Sequence, residues 1–397
     1  MDLDPGSWLS RPGIPTLLEV LDAATGATRL VGGAVRDRAL GLEAADLDLA
    51  TRLLPADVIA RLTAAKIKAI PTGLAHGTIT AVSAGSIVEV TTLRSDVATD
   101  GRRATVAFTT DWAADAARRD FTINALYADP LSGEVFDPTG HGEADLARRR
   151  VAFIGEPLAR ITEDHLRILR FFRFHARFGK AAPDPAALAA CIARANDLMA
   201  LSRERIADEL LKLLALPQPI ATLRLMIDHA ILRSVLPEIN TVDRLLALDA
   251  AEATAALLPD PLRRLAALIP PNSLTAEKIA ARLKLSLKAR RRLAAAADPT
   301  DLGTAQVHAY RLGTESAVDR LLLAARPADA AAIAHWPIPR LPVSGGALIT
   351  RGVAQGPAVA RTLKVIEQAW LDAGFPSGDR FEALVTDALS PHQPRSA

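Results

Sequence analysis

The chain has 397 residues, half of them hydrophobic, with 47 basic and 45 acidic side chains and a formal net charge of +2. This length exceeds one ordinary compact core, so we expect two or more domains. The near balance of charge excludes a polybasic tail as the sole nucleic-acid anchor, and the single cysteine, Cys191, excludes an internal disulfide and a cysteine metal cluster.

The N-terminus, MDLDPGSWLSRPG, is acidic and lacks the basic and apolar regions of a signal peptide. The stretch 69–88 has no charged acid, lysine or arginine, but its proline and three glycines exclude a membrane helix. We therefore expect a cytoplasmic protein with no membrane partner.

Two patterns of hydrophobic residues divide the chain. Before about residue 140, short β-branched runs such as GTITAV and SIVEVTTL alternate with glycine turns and short helical stretches. After about residue 145, apolar residues recur every three or four positions in segments rich in Ala, Leu and Arg. The fold class predicted is an α+β region followed by helices.

The stretch LVGGAVRDRALGLEAADLDLAT, residues 30–51, predicts a strand, a glycine turn, a short helix ended by Gly41, and a second strand. In that second strand Asp46 and Asp48 would share one face, and a divalent cation such as Mg²⁺ would neutralise them. Backbone N–H groups after Gly33, together with Arg36, could face phosphate oxygens. A solvated edge strand and an ordinary turn remain the alternatives.

A third acid follows in SIVEVTTLR, where alternation places Glu89 on one face with Ile87 and Thr91. Glu89 would complete a carboxylate triad if its strand lies beside the strand of Asp48. An exposed strand glutamate explains the same pattern.

A helix is predicted to begin near Glu163 in RITEDHLRILRFFRFHARFG. At 100° per residue, one face carries the charged residues and the other the apolar ones. The charged face consists of Glu163, Asp164, Arg167 and Arg170, and the apolar face of Ile168, Leu169, Phe172 and Ala176. The alternative is an exposed stripe held by Glu163 and Arg167 at i,i+4.

Four stretches, LVGGAVRDRALGLEAADLDLAT, ARRDFTINALYADP, RITEDHLRILRFFRFHARFG and SRERIADEL, occur in the order and approximate spacing of the class II tRNA nucleotidyltransferases. The chain resembles the CCA-adding enzymes of this family, which are related to bacterial poly(A) polymerases. The resemblance implies a polymerase-β-like head over residues 1–145 and all-α neck (146–215), body (216–300) and tail (301–397) domains, the tail expected to contact tRNA.

The resemblance also implies roles for particular residues. Asp46 and Asp48 match the metal-binding aspartates, and Glu89 matches a third acid near the reacting centre. Residues that would contact or support the incoming nucleotide are Gly33, Arg36, Arg119 and Asn124. Asp164 and Arg167 match the pair that reads the base, with Glu163 holding Arg167, and Arg170 and Arg173 resemble residues that help to bind nucleotide and phosphate.

Such a pair explains selection, because a carboxylate and a guanidinium complement the pairing edge shared by cytosine and adenine. The function implied is untemplated addition of CCA to tRNA 3′ ends from CTP and ATP, with Mg²⁺ as cofactor. A poly(A) polymerase, a CC-only or A-only enzyme and a non-catalytic tRNA-binding protein are the alternatives. The segment RSDVATDGRRATVAF resembles the flexible loop associated with the final A.

Contact with tRNA phosphates needs exposed cations. The strongest basic cluster is Lys288, Arg290, Arg291 and Arg292, and a second is 148–150. Few aromatic side chains, 4%, favour a reader of duplex shape over a single-strand stacking platform. A solvated helix end is the alternative for the first cluster.

Overall fold

The computed structural model describes residues 1–43, 46–99, 104–180 and 182–390. They form two compact units, Met1–Asn240 and Thr241–Ala397, which we call the first and second units. All strands of the described chain lie in the first unit.

The strands are β1 (Thr28–Val31), β2 (Leu47–Thr51), β3 (Lys68–Gly73), β4 (Thr78–Ser83), β5 (Ser86–Thr92), β6 (Arg94–Thr99), β7 (Ala104–Phe108), β8 (Tyr127–Ala128) and β9 (Val135–Phe136). Seven of them form one sheet in the order β3-β4-β5-β2-β1-β8-β9, and β6 pairs with β7 alone. Within the large sheet β2 and β5 are parallel, and their register places Asp48 opposite Glu89. The other strand pairs of this sheet are antiparallel.

The first unit also contains eleven described α-helices, which include the glycine-turn helix and a long amphipathic helix. They are α1 (Gly6–Leu9), α2 (Ile14–Val20), α3 (Gly33–Ala39), α4 (Pro55–Ala64), α5 (Trp112–Ala117), α6 (Gly142–Ala147), α7 (Pro157–Glu163), α8 (Arg167–Phe178), α9 (Pro185–Ala193), α10 (Arg203–Leu214) and α11 (Ile220–Asp228). Short 3-10 turns span Ala23–Thr25, Leu74–His76, Thr122–Asn124 and Ala195–Ala200. No strand follows residue 136 in the part of the chain that the structure describes, so the α+β region followed by helices is confirmed.

The second unit is helical throughout its described length. Its helices are α12 (Asp243–Thr254), α13 (Pro261–Leu268), α14 (Ser273–Arg282), α15 (Leu287–Ala296), α16 (Ala305–Leu312), α17 (Thr314–Leu323), α18 (Pro327–Ile333), α19 (Gly345–Thr350), α20 (Pro357–Asp372) and α21 (Asp379–Leu389). Side-chain caps begin several of them; Asn272, for example, accepts from the N–H of Thr275 at 2.9 Å. Ile366, Trp370 and Phe381 form the centre of a C-terminal apolar core.

One predicted helix boundary differs from the observed one. The helix predicted to begin near Glu163 is wrong in its boundary: α7 ends at Glu163, Asp164 is extended with φ −153°, and α8 starts at Arg167. The Asp164 carboxylate accepts from the N–H of Leu166 at 3.1 Å, and this local hydrogen bond competes with a continuous helix.

The four predicted domain boundaries stay predictions, since the division into two units falls after Asn240. The tip of the predicted flexible loop, 100–103, and the last seven residues, 391–397, lie outside the described residues. No helix among those described is long and apolar enough to cross a membrane.

Candidate active site

The site begins at the turn between β1 and α3. Gly32 has φ +64°, a left-handed conformation that favours glycine. A Cβ added there would lie 3.4 Å from Nη1 of Arg119, an ordinary van der Waals contact, so this arginine lies directly against the turn. Gly33 begins α3, as predicted, and Gly41 follows the helix with φ +70°.

The predicted carboxylates lie on β2 and β5. Asp46 directly precedes β2 and is exposed, whereas Asp48 is half-buried and its neighbours Leu47 and Leu49 are buried. Glu89 is exposed on the adjacent strand, with Asp48 as its register partner. The two strands therefore bring Asp48 and Glu89 side by side, an adjacency that the sequence pattern left open.

Burial, together with the nearby charges of Glu89 and Asp46, raises the pKa of Asp48 to about 6, and Arg119 opposes this shift. Among the residues the structure describes, no side chain forms an ion pair with Asp46, Asp48 or Glu89. The three acids thus repel one another, and an added cation would stabilise their ionised forms.

These acids suit a hard divalent ion that completes its coordination elsewhere. Within residues 1–43, 46–99, 104–180 and 182–390, no group of three or more His, Cys, Asp or Glu side chains is arranged to hold a metal. Mg²⁺ is commonly held by one or two carboxylates with water and substrate phosphates. The pair Asp46 and Asp48 fits this arrangement, with positions left for nucleotide oxygens.

Arg119 links the carboxylates to the motif RRDFTINAL. Its guanidinium donates to Asp115 at 2.9 Å and to the Tyr127 hydroxyl at 3.2 Å, and that hydroxyl donates to Asp115 at 2.7 Å. Burial alone would raise the pKa of Asp115, but Arg119 and Arg118 lower it to about 2. Arg119 is thereby fixed beside the glycine turn, with its charge close enough to influence Asp48.

Arg36 is 5% exposed, and its guanidinium is bound within the protein. Its Nε donates to Asp37 at 2.8 Å, its Nη1 donates to the Asn124 side-chain oxygen, and it lies 4.1 Å from the ring centre of Phe178. In this structure the Arg36 guanidinium therefore supports the glycine turn through contacts inside the protein. It is not free to bind a phosphate.

Asn124 and Asp120 connect Arg36 to helix α8 through hydrogen bonds. The Asn124 amide donates to Asp120 at 3.0 Å, and Arg170 donates to the same carboxylate at 2.7 Å. These bonds to Arg170 and Asn124 lower the pKa of Asp120 despite its burial. Phe121 and Leu126 of the same motif are fully buried and form part of the core.

The predicted base-reading pair lies where α7 ends and α8 begins. Arg167 forms the expected ion pair with Glu163 at 2.6 Å and donates to the carbonyl of Arg118 at 3.2 Å. Arg160 binds Glu163 at 2.6 Å and donates to the carbonyl of Arg119 at 2.5 Å. The helix junction is thus tied directly to the segment that carries Arg119.

Asp164 has a partner that was not predicted. Its carboxylate accepts from Arg205 of α10 at 2.7 Å, and both side chains are partly exposed. Arg173, another predicted nucleotide contact, binds buried Glu209 of the same helix at 2.6 Å. Helix α10 therefore holds one member of the base-reading pair and the middle of α8.

The basic cluster on α15 separates into two groups. Lys288 and Arg291 are exposed, and Arg290 is half-buried with Glu277 3.5 Å away. Arg292 binds Asp319 at 2.7 Å and Asp260 at 2.8 Å and is mostly buried. The expectation that Arg292 contacts RNA is therefore corrected: two acids already occupy its guanidinium and fix it inside the helical packing.

Sequence reasoning missed several charged residues that hold the site together. These are Asp37, Asp115 and Arg160, whereas Arg205 and Glu209 lie in SRERIADEL, whose acids and arginines are expected from the resemblance to position helices. Two of these have a local signal: Asp115 lies three and four residues before Arg118 and Arg119, and Arg160 lies three residues before Glu163. Asp37, Arg205 and Glu209 each bind an arginine or acid that is remote in sequence, and spacing along the chain does not reveal such pairs.

Comparison with known proteins adds a second line of information. The family described as the Poly A polymerase head domain matches residues 28–152, and the family described as the probable RNA and SrmB-binding site of polymerase A matches residues 182–242. The chain is 32% identical to the mitochondrial CCA tRNA nucleotidyltransferase 1 of Mus musculus, covering 91% of this chain and 87% of that one.

The corresponding protein of Danio rerio is 34% identical, with 90% and 86% of the two chains covered. Among solved structures, the Bacillus stearothermophilus CCA-adding enzyme in complex with CTP superimposes with a TM-score of 0.72 at 25% identity, covering 96% of this chain and 99% of that one. The similarity therefore extends across both units of the chain.

Proposed function

The chain belongs to the family of CCA tRNA nucleotidyltransferases, and from that membership we propose that it adds C, C and A to tRNA 3′ ends from CTP and ATP without a template. The observation that carries this proposal is the pairing of Asp48 with Glu89 across parallel strands beside the glycine turn and Arg119. The tRNA 3′-hydroxyl attacks the nucleotide α-phosphate, and pyrophosphate leaves.

Asp46 and Asp48 would hold the divalent cation, with Mg²⁺ as the expected ion. Bound there, such an ion supplies a Lewis acid at the phosphate oxygens and lowers the pKa of the attacking hydroxyl. The protein contributes a fixed pair of carboxylates and the charge of Arg119, which orients and neutralises the triphosphate.

Base selection is assigned to Asp164 and Arg167. A carboxylate accepts from the exocyclic amine of cytosine or adenine, and a guanidinium donates to the adjacent ring nitrogen. Uracil and guanine present a carbonyl in place of that amine, and two facing acceptors cost about 1–3 kcal/mol per unsatisfied group. Glu163 and Arg205 hold the two readers, so their directions are set before the nucleotide binds.

The acceptor end of tRNA would be bound through its phosphates by cations of α15, namely the exposed Lys288 and Arg291 and the half-buried Arg290. We place the protein in the cytoplasm, as its single cysteine suggests, although the mouse and zebrafish relatives are named as mitochondrial. The four predicted domains remain part of this proposal.

The test uses purified full-length protein, Mg²⁺, and three tRNA substrates that lack three, two or one of the terminal nucleotides. Each of the four labelled nucleoside triphosphates is offered separately. We expect incorporation of C, C and A in turn and then no further extension. Repeated addition of A would indicate a poly(A) polymerase, and extension of only one class of substrate would indicate a CC-only or A-only enzyme.

Two variants test the base readers. Asp164→Ala and Arg167→Ala should lower kcat/KM for CTP and ATP while leaving tRNA affinity unchanged, because the base loses its hydrogen-bond partners. Asp197→Ala, which removes another partly exposed acid of the first unit, is the matched control. Wild-type efficiency in both reader variants would contradict the assignment.

A further inference from the structure

Four arginines form a stripe along α8, and each binds an acid from a different element. At 100° per residue, positions 167, 170, 173 and 177 fall within about 120° of the helix circumference. Their partners are Glu163 of α7, Asp120 of the segment before Thr122–Asn124, Glu209 of α10 and Asp37 of α3. The resemblance assigns the first three arginines to the nucleotide site, but it assigns no role to Arg177.

The Arg177–Asp37 ion pair joins the two halves of the site. Asp37 accepts from Arg177 at 3.0 Å and from Nη2 of Arg36 at 2.6 Å, so one carboxylate binds a guanidinium from each helix. Arg36 also contacts the ring of Phe178, which packs it against the end of α8. Helix α3 starts at the glycine turn, and α8 starts at the base reader Arg167.

A small change in the direction of α8 at this ion pair would displace Arg167, at the other end of the helix, by a larger amount. Arg177 lies ten residues after Arg167, which corresponds to about 15 Å along an α-helix. A tilt of about 4° at the Arg177 end would displace Arg167 by about 1 Å. A displacement of that size is enough to change catalytic efficiency by up to about 10²-fold.

We propose that Asp37 and Arg177 are positioning residues that fix α8 relative to the glycine turn and thereby set the accuracy of nucleotide selection. This inference rests on the proposed CCA-adding function. The triphosphate is held at the turn and the base is read at Arg167, so the distance between the two decides whether the correct base meets its partners. Neither Asp37 nor Arg177 needs to touch the nucleotide.

The experiment measures single additions to tRNA lacking all three terminal nucleotides, with CTP and with UTP, for wild type, Arg177→Gln, Asp37→Asn and the double variant. The ratio of kcat/KM for CTP to that for UTP should fall about five- to tenfold in each single variant, because a misplaced reader loses more with the correct base than with the wrong one. The double variant should show no further fall, and Arg177→Lys should recover part of it.

The matched control is Arg61→Gln. Arg61 pairs with Asp22 at 2.6 Å, and its side chain is 40% exposed, close to the 41% of Arg177. A purely structural role would lower the active fraction equally for both nucleotides and leave the ratio unchanged. An unchanged ratio in folded Arg177→Gln, or an equal fall in Arg61→Gln, overturns the inference; should Asp37→Asn fail to fold, Arg177→Gln alone decides. Absence of C addition by the wild type would instead overturn the proposed function.

Discussion

Two groups of acids in the first unit share residue type and neighbourhood but differ in their partners. Asp48 lies opposite Glu89 and two residues after Asp46, and burial together with these two acids raises its pKa to about 6. Asp115 is even more buried, yet Arg119 and Arg118 lower its pKa to about 2. Acids that the fold leaves without a cation are suited to bind one, and acids bonded to arginine serve as scaffold.

The largest expected effect is on catalysis. Asp48→Asn should reduce nucleotide transfer by about 10³-fold or more, because a lost metal ligand removes several kcal/mol of transition-state stabilisation. Affinity for tRNA, measured by filter binding, should be unchanged. The control is Asp57→Asn, which replaces an exposed acid of α4 and should transfer nucleotide at the wild-type rate. Transfer by Asp48→Asn within tenfold of wild type would mean that the metal assignment is wrong.

Substitution of a scaffold acid should, in contrast, act mainly on the stability of the protein. Asp115→Asn leaves Arg118 and Arg119 without their buried counter-charge and should lower the free energy of unfolding by about 3–5 kcal/mol. Urea denaturation followed by circular dichroism measures this loss. Asp57→Asn again serves as control, with a loss of no more than about 1 kcal/mol expected from its place in the first turn of α4. A stable Asp115→Asn protein would remove the distinction between the two groups.

The raised pKa of Asp48 gives a third test, in metal-free protein with a chelator present. The folded state holds this proton up to about pH 6, whereas an unfolded aspartate releases it near pH 4, so Asp48 destabilises the fold increasingly as pH rises through that window. Asp48→Asn should therefore raise the free energy of unfolding by about 1–3 kcal/mol at pH 8.

That gain should shrink below pH 6 and vanish near pH 4. Asp115 has the opposite sign: its contribution is present above about pH 4 and is lost only as pH falls through about 2. Calorimetry at a series of pH values distinguishes the two acids. An equal gain for Asp48→Asn at pH 4 and pH 8 would contradict the pKa shift.

The smallest expected effect concerns the cations of α15, which also divide into exposed charges and charges already bound within the protein. Arg291→Ala removes an exposed charge and should weaken tRNA binding several-fold while reducing the slope of log affinity against log salt by about 1. Arg292→Ala removes a charge already bound by Asp260 and Asp319, so it should destabilise the protein and leave that slope unchanged. Equal slopes for wild type and Arg291→Ala would contradict the assignment of Arg291 on α15 to the surface that binds tRNA.

Much of the first unit was predictable because its signals are local. Strand alternation placed Asp48 opposite to buried Leu47 and Leu49, and the glycine turn and short helix follow from residues 28–41. The change from mixed to helical structure followed from hydrophobic periodicity. The helix boundary at Asp164 was not predictable from that periodicity, because its charged and apolar faces continue across the break.

The sequence by itself determined which residue types are available: paired aspartates behind a glycine turn, an arginine-rich amphipathic helix, and a basic cluster. Only the tertiary structure decided which charges are already bound. Asp37 and Arg177 meet across 140 residues, and Arg292 meets Asp319 across 27. Such pairs depend on how elements pack, because an ion pair requires its atoms within about 4 Å and neither periodicity nor spacing along the chain supplies that distance.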